Sequence, residues 1–147
     1  MVIHEASLSY RVVREGESEP LDTPEKIVAY MEGAFDADPT VEWFYVIPLN
    51  RKNHPLGRVA VTKGIATATV VHTREVFKPV ILAGASALVV VHNHPSCDPS
   101  PSRADIDVTR VLREAARHMV FDLLDHVIIA ENGSERPYYS FSEAGLL

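Results

Sequence analysis

The sequence predicts an α/β fold in which helices cover both faces of a sheet. Apolar, β-branched runs of strand length alternate along the chain with helical patterns. One run, Ala87-Leu88-Val89-Val90-Val91, is apolar at every position, as a strand buried on both faces must be. The longest helical pattern, opening at Ser102, keeps its apolar residues on one side, as a helix laid on a sheet requires. With 147 residues, 46% of them apolar, the chain can bury a core of its own and reads as one domain.

Ser7 to Val13 alternates weakly and is expected to form an N-terminal edge strand. Glu15 to Leu21, with Gly16 and Pro20, reads as a loop, so residues 1–20 are an extension ahead of a domain spanning 21–147. Thr23-Pro24-Glu25 is a helix start: a capping hydroxyl, proline at the first helical position, then an acid near the positive end of the dipole. That helix is expected to reach Phe35, with Ile27, Tyr30, Met31 and Ala34 on its apolar face. Trp43 to Leu49 is aromatic and β-branched, Asn50-Arg51-Lys52-Asn53 is a turn, and Leu56 to Thr62 is the expected hairpin partner.

Ala66 to Val71 predicts another short strand. Thr73 is expected to cap a helix from Arg74 to Ala83, which Pro79 should kink or shorten. After the buried strand comes the Ser102 helix, reaching Met119 with Ala104, Val108, Val111, Leu112, Ala115 and Met119 on one side. Val127 to Ala130 is a strand, Asn132-Gly133 a turn and Pro137 to Phe141 a final strand. Ser142-Glu143-Ala144-Gly145 ends the pattern as a short turn or helical stub.

A net charge of −6 and the lack of a dense Lys/Arg cluster speak against a sequence-independent grip on phosphate backbone. The single cysteine, Cys97, excludes an internal disulfide and a Cys-rich zinc module. No apolar run approaches the length of a membrane span, and Met1 to Glu5 shows no basic-then-apolar leader. The expectation is a cytoplasmic protein with no membrane partner. Nothing in the sequence assigns an oligomeric state.

His92-Asn93-His94-Pro95, followed by Ser102 and Asp105, carries the chemistry. Along a strand, residues two apart project to the same face, so His92 and His94 point together. Pro95 lacks an N–H and puts the pair at the strand's end. Two imidazoles and a carboxylate, with a fourth position for water, is the ligand set of catalytic rather than structural zinc. A lone histidine in an apolar setting is usually a satisfied core or surface residue; the paired step with an acid downstream favours ligands. Ser102-x-x-Asp105, viewed alone, is a capping box. Beside the histidines, Asp105 lies one turn into the helix and can reach back as a third ligand, while Ser102 can cap and still present its hydroxyl. A hydrolytic site also needs a base for the water. Glu42 and Glu75 both qualify by spacing, although Glu75 has an ordinary role as a dipole-favoured acid next to Arg74.

The stretch from Leu21 to Leu147 resembles the RadC family, a bacterial branch of the JAB/MPN (JAMM) metalloprotease superfamily. The resemblance lies in Glu42, His92-Asn93-His94-Pro95 and Ser102-Arg103-Ala104-Asp105 at the signature's spacing. It extends to Leu49-Asn50-Arg51-Lys52-Asn53, Arg74-Glu75-Val76-Phe77-Lys78, Leu124-Asp125-His126 and Tyr139-Ser140-Phe141. It implies a cytidine-deaminase-like three-layer sandwich, a mixed sheet flanked by helices. It further implies one Zn2+ per chain held by His92, His94 and Asp105, with Glu42 as general base and Ser102 on the oxyanion. Asp125 and His126 are read first as a buried hydrogen-bonded pair and second as support for the metal site. His72 and Arg74 read equally as groove lining and ordinary surface.

Two departures stand out. Family members carry glycine where this chain has Cys97, so a positive φ there would strain the loop, and the thiol is an ordinary loop cysteine before it is an extra ligand. Full-length RadC proteins carry an N-terminal helix-hairpin-helix region, whereas about twenty residues precede the domain here; the expectation is that this region is missing and that the family's DNA-repair label transfers poorly.

The expected activity is hydrolysis of a peptide or isopeptide amide by a zinc-bound water that Glu42 activates, on a peptide or protein substrate. The alternatives are a non-catalytic MPN interaction module, disfavoured because every ligand is kept, and a DNA-repair-associated protein or nuclease, disfavoured by the acidic charge. A deaminase is excluded because the Pro-Cys-x-x-Cys half of its signature is absent.

Overall fold

The computed structural model describes residues 1–5, 7, 9–13, 15–64, 71–130 and 136–147. Its elements run α1 (Pro24–Tyr30), β1 (Glu42–Leu49), β2 (Val59–Gly64), α2 (Thr73–Leu82), β3 (Ala87–His94), α3 (Arg103–His118), β4 (Asp122–Ala130) and β5 (Tyr138–Ser140). The strands form one mixed sheet ordered β2-β1-β3-β4-β5. β1 is antiparallel to both β2 and β3, β3 is parallel to β4, and β5 closes the far edge antiparallel to β4. The predicted α/β sandwich with both faces covered is what forms.

Alternation along the strands sorts the core into two layers. Ile47, Leu49, Val89, Val91, Val127 and Ile129 face α1, where Ile27 and Met31 meet them. Phe44, Val46, Leu88 and Val90 face α2 and α3, against Val76, Phe77, Val80, Leu112 and Ala116. β3 is buried along its whole length except at His94.

Several boundaries differ from expectation. The described residues between 7 and 13 form no strand and lie exposed. α1 ends at Tyr30, and Gly33 at φ +73° turns the chain, yet Met31, Ala34 and Phe35 still reach the core. The hairpin partner begins at Val59 rather than Leu56. His72, not Thr73, is the N-cap of α2, without a side-chain bond, and the helix runs through Pro79 to Leu82 because Val76, Phe77 and Val80 anchor it to the sheet. Within α3 the buried stripe is Thr109, Leu112 and Ala116; Ala104, Val111 and Met119 face solvent. The expected strand from Ala66 and the Asn132-Gly133 turn lie outside the described residues.

Candidate metal centre

Each site residue is delivered by a different local rule. His92 and His94 close β3 on the face covered by α2 and α3, and the turn beginning at Pro95 follows them. Glu42 opens β1 on the same face, two residues from Phe44, whose ring stacks on His92 at 5.7 Å. Asp105 comes from the first turn of α3. There a full capping box holds it: its N–H donates to Ser102 Oγ (3.1 Å) and its Oδ2 accepts from the Ser102 N–H (2.7 Å).

These elements bring Glu42, His92, His94 and Asp105 together, with one ligating atom from each lying within 4.8 Å of all the others. His92 Nε2 stands 3.2 Å from Asp105 Oδ1, 4.0 Å from Glu42 Oε1 and 3.0 Å from His94 Nε2. His94 Nε2 is 3.4 Å from Asp105 Oδ2. Ser102 joins through Asp105, since its hydroxyl donates to Oδ2 at 2.7 Å. The capping box and the approach of Asp105 to the two histidines therefore coexist. Glu75, the other candidate base, is exposed and outside the group, as are His72 and Arg74.

The second nitrogen of each imidazole decides what the first can do. His94 Nδ1 faces the carbonyl of Asp98 at 2.8 Å; a carbonyl only accepts, so Nδ1 carries the proton and Nε2 turns its lone pair to the centre. For His92 the same logic runs through three residues. Thr109 donates its hydroxyl proton to the Asp105 carbonyl (2.6 Å) and therefore accepts from His126 Nδ1 (2.6 Å). His126 Nε2, left without a proton, accepts from His92 Nδ1 at 2.8 Å. Two lone pairs 3.0 Å apart beside two carboxylates call for a cation between them. The donor set fits zinc, with two imidazole nitrogens and an aspartate as ligands and a second carboxylate at hand.

In the metal-free site a proton on His94 can take the place of that cation. Burial pushes the Asp105 carboxyl up, but the His92 and His94 rings facing it outweigh that and hold the group well below the usual carboxylate range. Burial likewise opposes charge on His94, and Asp105, the Asp98 carbonyl and Glu42 overcome it, raising its pKa. His126 is buried completely and lies against His92, which lowers its pKa well below the ordinary histidine value and keeps it neutral.

Asp125 and His126 form the expected buried hydrogen-bonded pair, Asp125 Oδ1 accepting the His126 N–H at 2.7 Å, while their side chains point to opposite faces of the strand. Asp125 braces the C-terminal turn, accepting from Ser140 Oγ (2.6 Å) and the N–H of Ser142 (3.0 Å). Of the two side chains only that of His126 reaches the candidate metal group, at 2.8 Å from His92 Nδ1, and it is stacked on Phe141 at 4.7 Å. Thr109 was not expected there; its place one helical turn after Asp105 is the signal that could have found it. Cys97 adopts φ +62°, the left-handed conformation that glycine favours, and its Sγ turns to the Pro95 carbonyl rather than joining the four donors.

A mixed sheet with this donor set at the end of its central strand defines a JAB-type domain. The family model of the RadC-like JAB domain matches residues 21–146, and the chain belongs to that family. It is 45% identical over 108 residues to a UPF0758 protein of Symbiobacterium thermophilum, covering 74% of this chain and 44% of that one. Over 130 residues it is 40% identical to a UPF0758 protein of Geobacter sulfurreducens, covering 88% and 55%. A Chlorobium luteolum UPF0758 protein is 44% identical over 121 residues, covering 82% and 52%. The chain thus spans about half the length of the curated relatives it matches. Among the described residues, no helix is long and apolar enough to cross a membrane.

Proposed function

We propose that this chain is a zinc-dependent hydrolase of the JAMM type that cleaves a peptide or isopeptide amide. The observation that carries the reading is the convergence of Glu42 with His92, His94 and Asp105, a base beside a three-ligand set. Zinc held by His92, His94 and Asp105 would supply Lewis acidity, lowering the pKa of water and polarising the carbonyl.

The remaining work falls to the chain's own groups. Glu42 Oε1 sits 4.0 Å from His92 Nε2, beyond hydrogen-bond reach, and its carboxylate is the group that takes a proton from the attacking water. It then passes that proton to the leaving amine. Ser102 holds Asp105 Oδ2 with its only hydroxyl proton; to donate to the oxyanion, that hydroxyl turns away from Asp105. Thr109 and His126 keep His92 in the one tautomer that presents Nε2.

The test compares zinc-loaded wild type with Glu42→Gln in an unbiased peptide-library cleavage screen. Glu42→Gln is expected to keep stoichiometric zinc and lose turnover by about 10²-fold or more, the usual contribution of a general base. His92→Ala is expected to lose the metal. Undiminished hydrolysis by purified Glu42→Gln removes Glu42 from the mechanism, and absence of stoichiometric zinc in untagged wild type favours a non-catalytic interaction module.

A further inference from the structure

We propose that Asn93 is the positioning residue for Glu42, its carboxamide standing in for two peptide hydrogen bonds that β1 and β3 do not make. The inference rests on the reading of Glu42 as the base.

The β1–β3 ladder runs from Leu49 opposite Ala87 to Phe44 opposite His92 and stops there. Both strands nevertheless continue. β1 stays paired with β2 as far as Glu42 opposite Gly64, and β3 stays paired with β4 as far as His94 opposite Ala130. Each strand is held on its outer side while the seam between them opens, and the metal centre lies at that opening.

Carried onward, the register would set Trp43 opposite Asn93 and Val41 opposite Pro95. Pro95 has no N–H, so the Val41 carbonyl would find no donor in a closed ladder. The Asn93 side chain supplies what is missing. Its Oδ1 accepts the Trp43 N–H at 2.7 Å, and its Nδ2 donates to the Val41 carbonyl at 3.1 Å. A primary amide is the side-chain group that offers both an acceptor and a donor in peptide-like geometry. Asn93 is 1% exposed, so losing either bond would leave a shielded polar group unpaired.

The two bonds fall on the residues either side of Glu42. Pleating directs Asn93 away from the face that holds His92 and His94, so the clamp grips the backbone from behind and leaves the Glu42 carboxylate unencumbered. A closed ladder would instead place Glu42 directly opposite His94, with Cα atoms only about 4.5–5.5 Å apart. Both side chains share one face, so that spacing would crowd the Glu42 carboxylate against His94. The carboxamide keeps the strands registered while holding them apart.

The experiment uses the full chain and two variants, Asn93→Leu and Glu42→Gln, with their combination. Amide hydrogen exchange in the metal-free protein reads the clamp. Trp43 is expected to exchange at least about tenfold faster in Asn93→Leu, the scale of one lost hydrogen bond. With Zn2+ as probe, affinity is expected to match wild type, because His92, His94 and Asp105 are untouched. Cleavage of the mixed peptide library is expected to fall about 10²-fold, as for Glu42→Gln, and no further in the double variant. An unchanged Trp43 exchange rate overturns the proposal. So does near-wild-type cleavage by Asn93→Leu when Glu42→Gln has lost it, or losses that multiply in the double variant. If Glu42→Gln itself still cleaves, the reading of the base fails, and Trp43 exchange alone then decides the clamp. Should Asn93→Leu not fold, a through-hydrogen-bond NMR coupling between the Trp43 amide nitrogen and Asn93 Cγ in wild type decides it instead.

Discussion

A neutral imidazole offers a metal only the nitrogen that carries no proton, so the partner of the other nitrogen matters as much as the ligand itself. In this chain those partners are a backbone carbonyl for His94 and the His126–Thr109 relay for His92. His126→Leu keeps an apolar group against Phe141 but leaves His92 free to take the wrong tautomer. Zinc affinity is expected to drop by roughly 10–100-fold, measured by competition with a chromophoric chelator. Affinity equal to wild type would show that the relay is packing only. Cys97 illustrates the opposite kind of residue: it occupies a left-handed position without a side-chain role in the centre, and the cost of roughly 1–2 kcal/mol falls on the loop.

α3 shows how an element can be read correctly yet end for reasons its sequence conceals. Its start is explicit, because Ser102 and Asp105 form both halves of a capping box. Its end is a Schellman turn: the Phe121 N–H donates to the Ala116 carbonyl (2.9 Å) and the Val120 N–H to that of Arg117 (3.2 Å). The residue that must adopt the left-handed conformation is Val120, at φ +59°, where glycine is usual and a β-branched side chain is strained. Val120 is exposed, so removing its side chain leaves no cavity. Val120→Gly is therefore expected to stabilise the fold by about 1 kcal/mol, read by chemical denaturation. A loss of stability would mean the side chain contributes a contact this geometry does not show. The stripe of α3 was misplaced for a related reason. Periodicity counted Val111 and Met119 as core, whereas the helix rotates to bring Asp105 and Thr109 to the metal centre.

At the level of the whole molecule, the buried centre ties stability to pH. His126 has its pKa lowered well below 6.5, so its contribution is complete above pH 6.5 and is lost as pH falls, when the unfolded chain binds a proton the fold refuses. His94 works the other way. Its pKa is raised above 6.5, so its contribution is present below that value and is lost as pH rises through the raised pKa. In metal-free protein the two slopes oppose each other across pH 6.5, and stability is expected to peak near there. The acid limb falls by up to about 1.4 kcal/mol per pH unit. Urea titrations between pH 5 and pH 8 check this, and His126→Leu is expected to flatten the acid limb; an acid limb as steep in the variant would assign it to other groups.

Much of this was legible in the sequence, and the limits follow from the range of the interactions involved. Strand alternation, a capping box and a His-x-His step are local patterns, so the sequence by itself determined a two-faced sheet and the α3 start, and pointed to His92, His94 and Asp105 as candidate metal ligands. The family resemblance marked Cys97 as a residue in a glycine's place. Choosing Glu42 over Glu75 required family resemblance, because the two ends of the site lie fifty residues apart in sequence. Only the tertiary structure decided that Asp125 and His126 serve different faces, that Thr109 links His126 to Asp105, and that Asn93 bridges an open seam. Each of these depends on which strands lie side by side and where their pairing stops. Register between distant segments is set by the packing of the whole core, and no local pattern records it.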